Sequence, residues 1–228
     1  MSNLPQARGM MLLLFDVADD AIAEHDDWHT HEHMPERLAI PGFLRGTRWT
    51  RAATSPRYCV LYEVDTPAVL DSPAYRARLD NPTPWTARMV SHYLGTRRTL
   101  CEVKDGDGDG IGSACLIATF TPAQGRTNEV RERLVDTLRP LAARRGLAAW
   151  RWLENALPAA MTREQSIRGR DGVVDSALWI TGYDVDAVAS LAEAEFGVQR
   201  MHEFGAVAVE RAVFRLAYSL SASDVYPH

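Results

Sequence analysis

At 228 residues the chain has room for one large domain or two small ones. Hydrophobic residues at 46% and charged residues at 24% are the balance of an ordinary globular protein and exclude extended disorder. Thirty acidic against 25 basic side chains leave a formal charge of -5 with no long basic run, so nucleic acid is not an expected partner and a small, uncharged or weakly polar ligand fits better. The longest apolar run, Met10 to Phe15, is too short to cross a bilayer and lacks the flanks of a signal peptide, so no membrane partner is expected. Cys59, Cys101 and Cys115 are odd in number and free of CxxC spacing, which reads as buried thiols in the cytoplasm.

Strand and helix signals then alternate in an order that occurs twice. Residues 9 to 17 form an apolar strand, followed by a helix capped at Asp19 or Asp20 and closed by Pro41-Gly42. Alternating side chains over 43 to 49 and 58 to 64 read as an antiparallel hairpin. Thr66-Pro67 opens a helix that Ser72-Pro73 restarts, and a last strand occupies about 90 to 103. The second half gives a strand at 113 to 120 and a helix through Val130, Leu134, Leu138 and Leu141 behind Thr127 or Asn128. Strands at 148 to 153 and 177 to 183, a helix capped by Asp186 and a final strand at 207 to 220 follow. Gly42-Phe43 leading to Arg48-Trp49 is echoed by Gly146-Leu147 leading to Arg151-Trp152, and Asp65 to Val69 by Asp184 to Val188.

This is an α+β chain of two ferredoxin-like βαββαβ repeats, the first at 9–104 and the second at 113–220, joined by an acidic linker at 105–112. A four-stranded sheet with helices on one face leaves its other face needing cover, so the repeats are expected to pack sheet to sheet as an α+β barrel. The linker, Asp105 to Gly112, resembles the start of a calcium loop but has Leu116 where a bidentate Glu belongs, and reads as flexible. The stretch 155 to 175, with Pro158, Gly169 and Gly172, reads as a long mobile or functional connection.

Four of the seven histidines, His25, His29, His31 and His33, fall beside Glu32 and Glu36. On a helix His25, His29 and His33 share one stripe while His31 points elsewhere. The cluster admits three readings: a solvated polar face, a metal site, or acid-base catalysis. The HExxH zinc pattern is absent, because Pro35 stands where its second His belongs. Acid-base chemistry is preferred, since His titrates near neutrality and Glu32 or Glu36 could hold a tautomer. Pro35 is expected to break the helix just after His33.

Trp28, His33, Pro35 and Glu36, followed by Pro41-Gly42-Phe43 and Arg48-Trp49, resemble the EthD-like branch of the dimeric α+β barrel superfamily, here duplicated within one chain. Asn81 to Trp85 looks like a further mark of a duplicated group. That superfamily includes cofactor-independent monooxygenases, polyketide cyclases, muconolactone-type isomerases, aldoxime dehydratases and chlorite dismutases. The resemblance implies a pocket between the sheet and the first helices, with His33 as its proton-transfer group. The second half has Arg139-Pro140-Leu141-Ala142 in the matching place, so one active pocket is expected, in the first half.

The function expected is an enzyme without cofactor or bound metal, a lyase, dehydratase, isomerase or cyclase acting on a small hydrophobic, aromatic or polyketide-like molecule. His33 would be the general acid or base, His29 its neighbour and Glu36 the group that orients an imidazole. Arg37 or Tyr58 would stabilise negative charge. Trp28, Trp49 and Trp85 are candidate lining residues, although plain packing also accounts for them, and for Arg37 a surface ion pair with Glu36 or Asp65 is the alternative role. The competing functions are a cofactor-independent monooxygenase and a non-catalytic small-ligand or stress-response barrel. A homodimer of the single-chain barrel is the protein partner the reading allows.

Overall fold

In the computed structural model, which describes residues 7–52, 54–157 and 161–225, the first apolar run is β1 (Gly9–Val17). Met11, Phe15 and Val17 on one of its faces enter a core with the helices, while Met10, Leu12 and Leu14 on the other are also buried. Burial on both faces is why its sequence is continuously apolar rather than alternating. The chain divides into two units. The first comprises Met1–Glu102, Ala156–Val173 and Ala217–His228, and the second Val103–Asn155 and Val174–Leu216.

In the first unit β1 is followed by α1 (Ile22–Trp28), a π-helical turn (His29–His33) and α2 (Met34–Leu38). Then come β2 (Phe43–Thr50), β3 (Tyr58–Val64), α3 (Pro73–Asp80), α4 (Pro84–Val90) and β4 (Tyr93–Gly108). β1 pairs with β3 and β4, and β3 with β2, all antiparallel, so the strand order is β4-β1-β3-β2. Ser72 and Thr83 cap α3 and α4 by accepting from Tyr75 N and Thr86 N, each with proline at the first helical position.

The remaining elements are β5 (Ala114–Pro122), α5 (Thr127–Leu138), β6 (Leu147–Leu157), α6 (Arg163–Arg168), β7 (Ser176–Gly182), α7 (Val185–Ala194), α8 (Val198–Phe204), β8 (Ala206–Ser221) and α9 (Ala222–Val225). β5 pairs with β7 and β8, and β7 with β6, giving β8-β5-β7-β6, the same order as in the first unit. The likeness extends to detail. Gly42 and Gly146 both have positive φ, +92 and +89, and the carbonyl of each accepts from the residue echoed in the sequence, Asp65 N at 2.9 Å and Asp184 N at 3.1 Å. The strand after each glycine slips register at the same point, at Phe43/Arg45 and at Leu147/Ala149.

Several expectations are corrected. Asp105–Gly108, expected as linker, prolong β4. There Arg151 Nη1 donates to Asp107 O at 2.9 Å, and a Cβ on Gly108 would meet Ala148 O at 2.1 Å, so the glycine permits a close strand approach rather than supplying slack. Residues 161–173 of the long connection belong with the first unit and carry α6, capped by a Thr162–Gln165 capping box. Pro158 lies outside the described residues. Pro35 does not break the helix: His33 and Met34 keep helical dihedrals, and Met34 N donates to His29 O, five residues back. The widened turn accommodates a residue that has no N–H and crowds the preceding carbonyl. The first turn after β1 is a 3-10 turn at Asp19–Ala21 without a side-chain cap; Pro67–Asp71 is likewise 3-10, and Asp184 rather than Asp186 caps α7.

Candidate functional site

The helical face formed by α1, the π turn and α2 packs against the sheet of the first unit, and the same face carries the histidine stripe. His25, His29 and His33 are buried, with ring centroids 5.6 and 5.5 Å apart in sequence order. Trp28 packs beside them, 4.4 Å from the His33 ring, and its Nε1 donates to Glu32 Oε1 and Thr86 Oγ1, each at 3.2 Å. Glu32 is thereby committed to α4, where Thr83 Oγ1 also donates to it at 2.5 Å. His31 is exposed, its Nδ1 2.9 Å from Asp27 O.

Between these histidines and the sheet lies a cavity of ≈ 20 Å³, room for about one water molecule. His29, His33, Arg37, Tyr62, Tyr75 and Tyr93 reach it, with Arg98 from β4 and Glu164 and Arg168 from α6. Met11, Leu13, Phe15 and Val60 form the sheet side of the wall.

Two polar strings meet at the wall. In one, Asp26 Oδ1 lies 3.1 Å from His25 Nδ1, and His25 Nε2 lies 3.3 Å from the Tyr93 hydroxyl. The Asp26 side chain is 40% exposed, so this string links a hydroxyl at the cavity to a carboxylate in contact with solvent. Tyr58 donates to the same Asp26 oxygen at 3.0 Å. In the other, the Arg37 guanidinium is paired with Glu164, whose second oxygen lies 3.3 Å from Arg168. Arg168 also holds Asp171 through two nitrogens, at 2.9 and 2.8 Å. Such a buried network is costly to desolvate and is retained only if each charge stays partnered.

Burial drives the imidazole of His33 well below its ordinary value, and the Arg37 and Arg168 charges push the same way. Burial does the same to His29, and a proton on His33 or His25 would push it further the same way, as the Arg48 and Arg37 charges do. His25 is lowered by burial too, with Asp26 opposing. All three rings are therefore neutral at neutral pH and fit to accept a proton rather than donate one. Among the described residues Nδ1 of His29 and of His33 is buried without a hydrogen-bond partner, and His29 Nε2 stands 3.5 Å from the Tyr62 hydroxyl. Burial raises the hydroxyls of Tyr58, Tyr62 and Tyr93 as well, so they remain protonated donors.

The structure brings His33, His29 and Arg37 to the cavity wall, with Trp28 behind the rings. Arg37 is buried on Glu164, and not at the surface on Glu36 or Asp65 as the alternative reading had it. Glu36 is half-buried with its carboxylate 3.7 Å from Arg78, and burial raises its pKa. Tyr58, Trp49 and Trp85 stand elsewhere: Tyr58 is stacked on Phe15, Trp49 donates to Thr47 Oγ1 at 2.9 Å, and Trp85 donates to Glu24 Oε1 at 3.1 Å. Sequence reasoning missed Tyr62, Tyr75, Tyr93, Arg98, Glu164 and Arg168. The capping-box spacing Thr162 to Gln165 was the one signal pointing to α6, while the others are ordinary strand or helix residues. Among the described residues no three His, Cys, Asp or Glu side chains converge in a way that could hold a metal ion. No described helix is long and apolar enough to cross a membrane.

No protein-family model and no curated protein matches the sequence. Solved structures do match. An anthrone oxidase-like protein superposes with a TM-score of 0.68 at 13% identity, over 98% of this chain and 96% of its own. A proposed monooxygenase from Fusobacterium nucleatum subsp. nucleatum gives 0.61 at 9% identity, over 96% of both chains. A proposed chlorite dismutase gives 0.54 at 10% identity, over 95% of this chain and 96% of its own. At such identities the likeness shows the fold alone, and with the strand order of each unit it gives that fold as ferredoxin-like.

Proposed function

We propose that this chain is a cofactor-independent enzyme that moves a proton on a small hydrophobic, aromatic or polyketide-like molecule, with His33 as general base. The observation that carries the reading is a buried, neutral imidazole at the wall of a cavity that also presents arginine side chains. A neutral base can take a proton from an activated carbon, and Arg37, with the protonated tyrosines, can stabilise the enolate or carbanion left behind. The Tyr93–His25–Asp26 string offers that proton a way to solvent. Lyase, dehydratase, isomerase and cyclase reactions all begin with this step, and the EthD-like kinship and sheet-to-sheet closure read from the sequence form part of the same proposal.

A monooxygenase reading has equal standing, favoured by the likeness to an anthrone oxidase-like protein and a proposed monooxygenase. After the same deprotonation the carbanion would reduce dioxygen, one oxygen atom ending as a carbonyl on the former methylene carbon and the other leaving as water. Either substrate exceeds a ≈ 20 Å³ cavity, so binding requires its walls to move apart.

Anthrone deuterated at its methylene carbon separates these readings. Under argon, wild-type protein should speed loss of the label to water; under air, oxygen uptake with carbonyl formation marks the oxygenase. His33→Ala should slow both by about two to four orders of magnitude while leaving the far-UV spectrum unchanged. Exchange no faster than buffer, with anthrone bound, would make the protein a binding module. Retention of more than about a tenth of the rate would move the assignment to His29.

A further inference from the structure

The arginines at the cavity wall are not alike. Arg37 has Glu164, and Arg168 has Glu164 and Asp171. Arg98 is 4% exposed, and among the described residues its guanidinium meets no carboxylate. Its Nη2 donates to the Tyr75 hydroxyl at 3.0 Å and its Nε to Met11 Sδ at 3.3 Å. The Tyr75 hydroxyl donates to that same sulfur at 3.1 Å. A thioether is a weak acceptor, so a buried cation and a phenol both spend strong donors on a poor partner. Met11, Tyr75 and Arg98 all line the cavity that His29 and His33 reach.

An unpaired buried charge is strongly unfavourable, and an interior that supplies donors without an acceptor is half of a charge-assisted pair. We infer that Arg98, with the Tyr75 hydroxyl, binds a carboxylate of the ligand, so that the molecule handled here is a hydrophobic or aromatic acid. A carboxylate matches the planar guanidinium fork and brings the single negative charge that Arg98 lacks, whereas a phosphate dianion brings one charge more than Arg98 balances. The inference deepens the proposed function and rests on it only in taking the cavity as the reaction site. Anchored through its carboxylate, the ligand would present its remaining carbons to the His29–His33 wall. The net charge of -5 does not argue against an anionic ligand, because a buried site answers to its own local field.

The test uses benzoate and its neutral isostere benzamide, titrated calorimetrically at constant ionic strength into wild type, Arg98→Met, Tyr75→Phe and His33→Ala. Wild type should bind benzoate at least tenfold more tightly than benzamide. Arg98→Met should abolish that preference, leave benzamide unchanged and melt at or above the wild-type temperature, because it removes an unpaired buried charge. Tyr75→Phe should weaken benzoate several-fold, which keeps the inference testable if Arg98→Met does not fold. Benzoate no tighter than benzamide in wild type, or a preference that survives both substitutions, would overturn it. His33→Ala should keep the preference while losing turnover. In wild type, the benzoate preference without turnover of the labelled anthrone faults the base assignment, and turnover without the preference faults the subsite.

Discussion

Arg37 and Glu164 are 127 positions apart and nearly fully buried, with side chains 3% and 6% exposed. Burial opposes the Arg37 charge, and Glu164, with smaller help from tyrosines and Glu36, more than offsets it. Glu164→Gln keeps the shape and removes the anion, so it should cost about 3–5 kcal/mol in urea unfolding. The double variant Arg37→Met with Glu164→Leu removes both charges and should cost much less. A single-variant loss under about 1 kcal/mol would mean that the pair is solvated in solution. The sequence could not reveal this pair: Arg37 follows an acidic residue that looks like its natural partner, and burial turned it toward a segment read as a loop.

At the scale of elements, the two helix-to-strand turns carry the doubled pattern. Gly42 and Gly146 have left-handed backbones, and a Cβ on either would lie 2.6 Å from Val69 Cγ2 or 2.4 Å from Ala187 Cβ. Alanine at either position should therefore lose about 2–4 kcal/mol, from the dihedral cost together with the clash. Val69→Ala should recover the steric part at Gly42→Ala and nothing at Gly146→Ala. No recovery at Gly42→Ala would show that the dihedral alone governs the loss. These glycines were legible because the need for positive φ is local. The π turn at His29–His33 was not: Pro35 announces a disturbance, but whether a helix ends or widens there depends on whether packing holds the following turn in place, and here Met34 and Leu38 are buried in the core.

For the whole molecule, the buried histidines set the response to acid. Burial holds His25, His29 and His33 below their unfolded value, so below about pH 6.5 the unfolded chain binds more protons than the native one. Stability should be full above that value and fall as the pH drops through it, by up to about 1.4 kcal/mol per pH unit for each fully neutral ring. Thermal unfolding from pH 7.5 to 5 should show the melting temperature descending, with a shallower slope in His29→Gln. A melting temperature that is flat over this range would mean that the rings titrate freely.

The order of strands and helices, the apolar β1, the paired glycine turns and the histidine stripe were determined by the sequence alone, because periodicity, positive φ and i, i+4 spacing are local properties. The completed site was decided by tertiary structure. Arg98 and Tyr75 look like ordinary strand and helix residues until β4 and α3 set them against Met11, and Glu164 and Arg168 arrive on a helix far along the chain from the histidines they face. The acidic stretch at 105–108 became strand for a related reason. Its glycines count as slack in one dimension and as clearance once β6 lies alongside, and only contact between distant segments distinguishes the two.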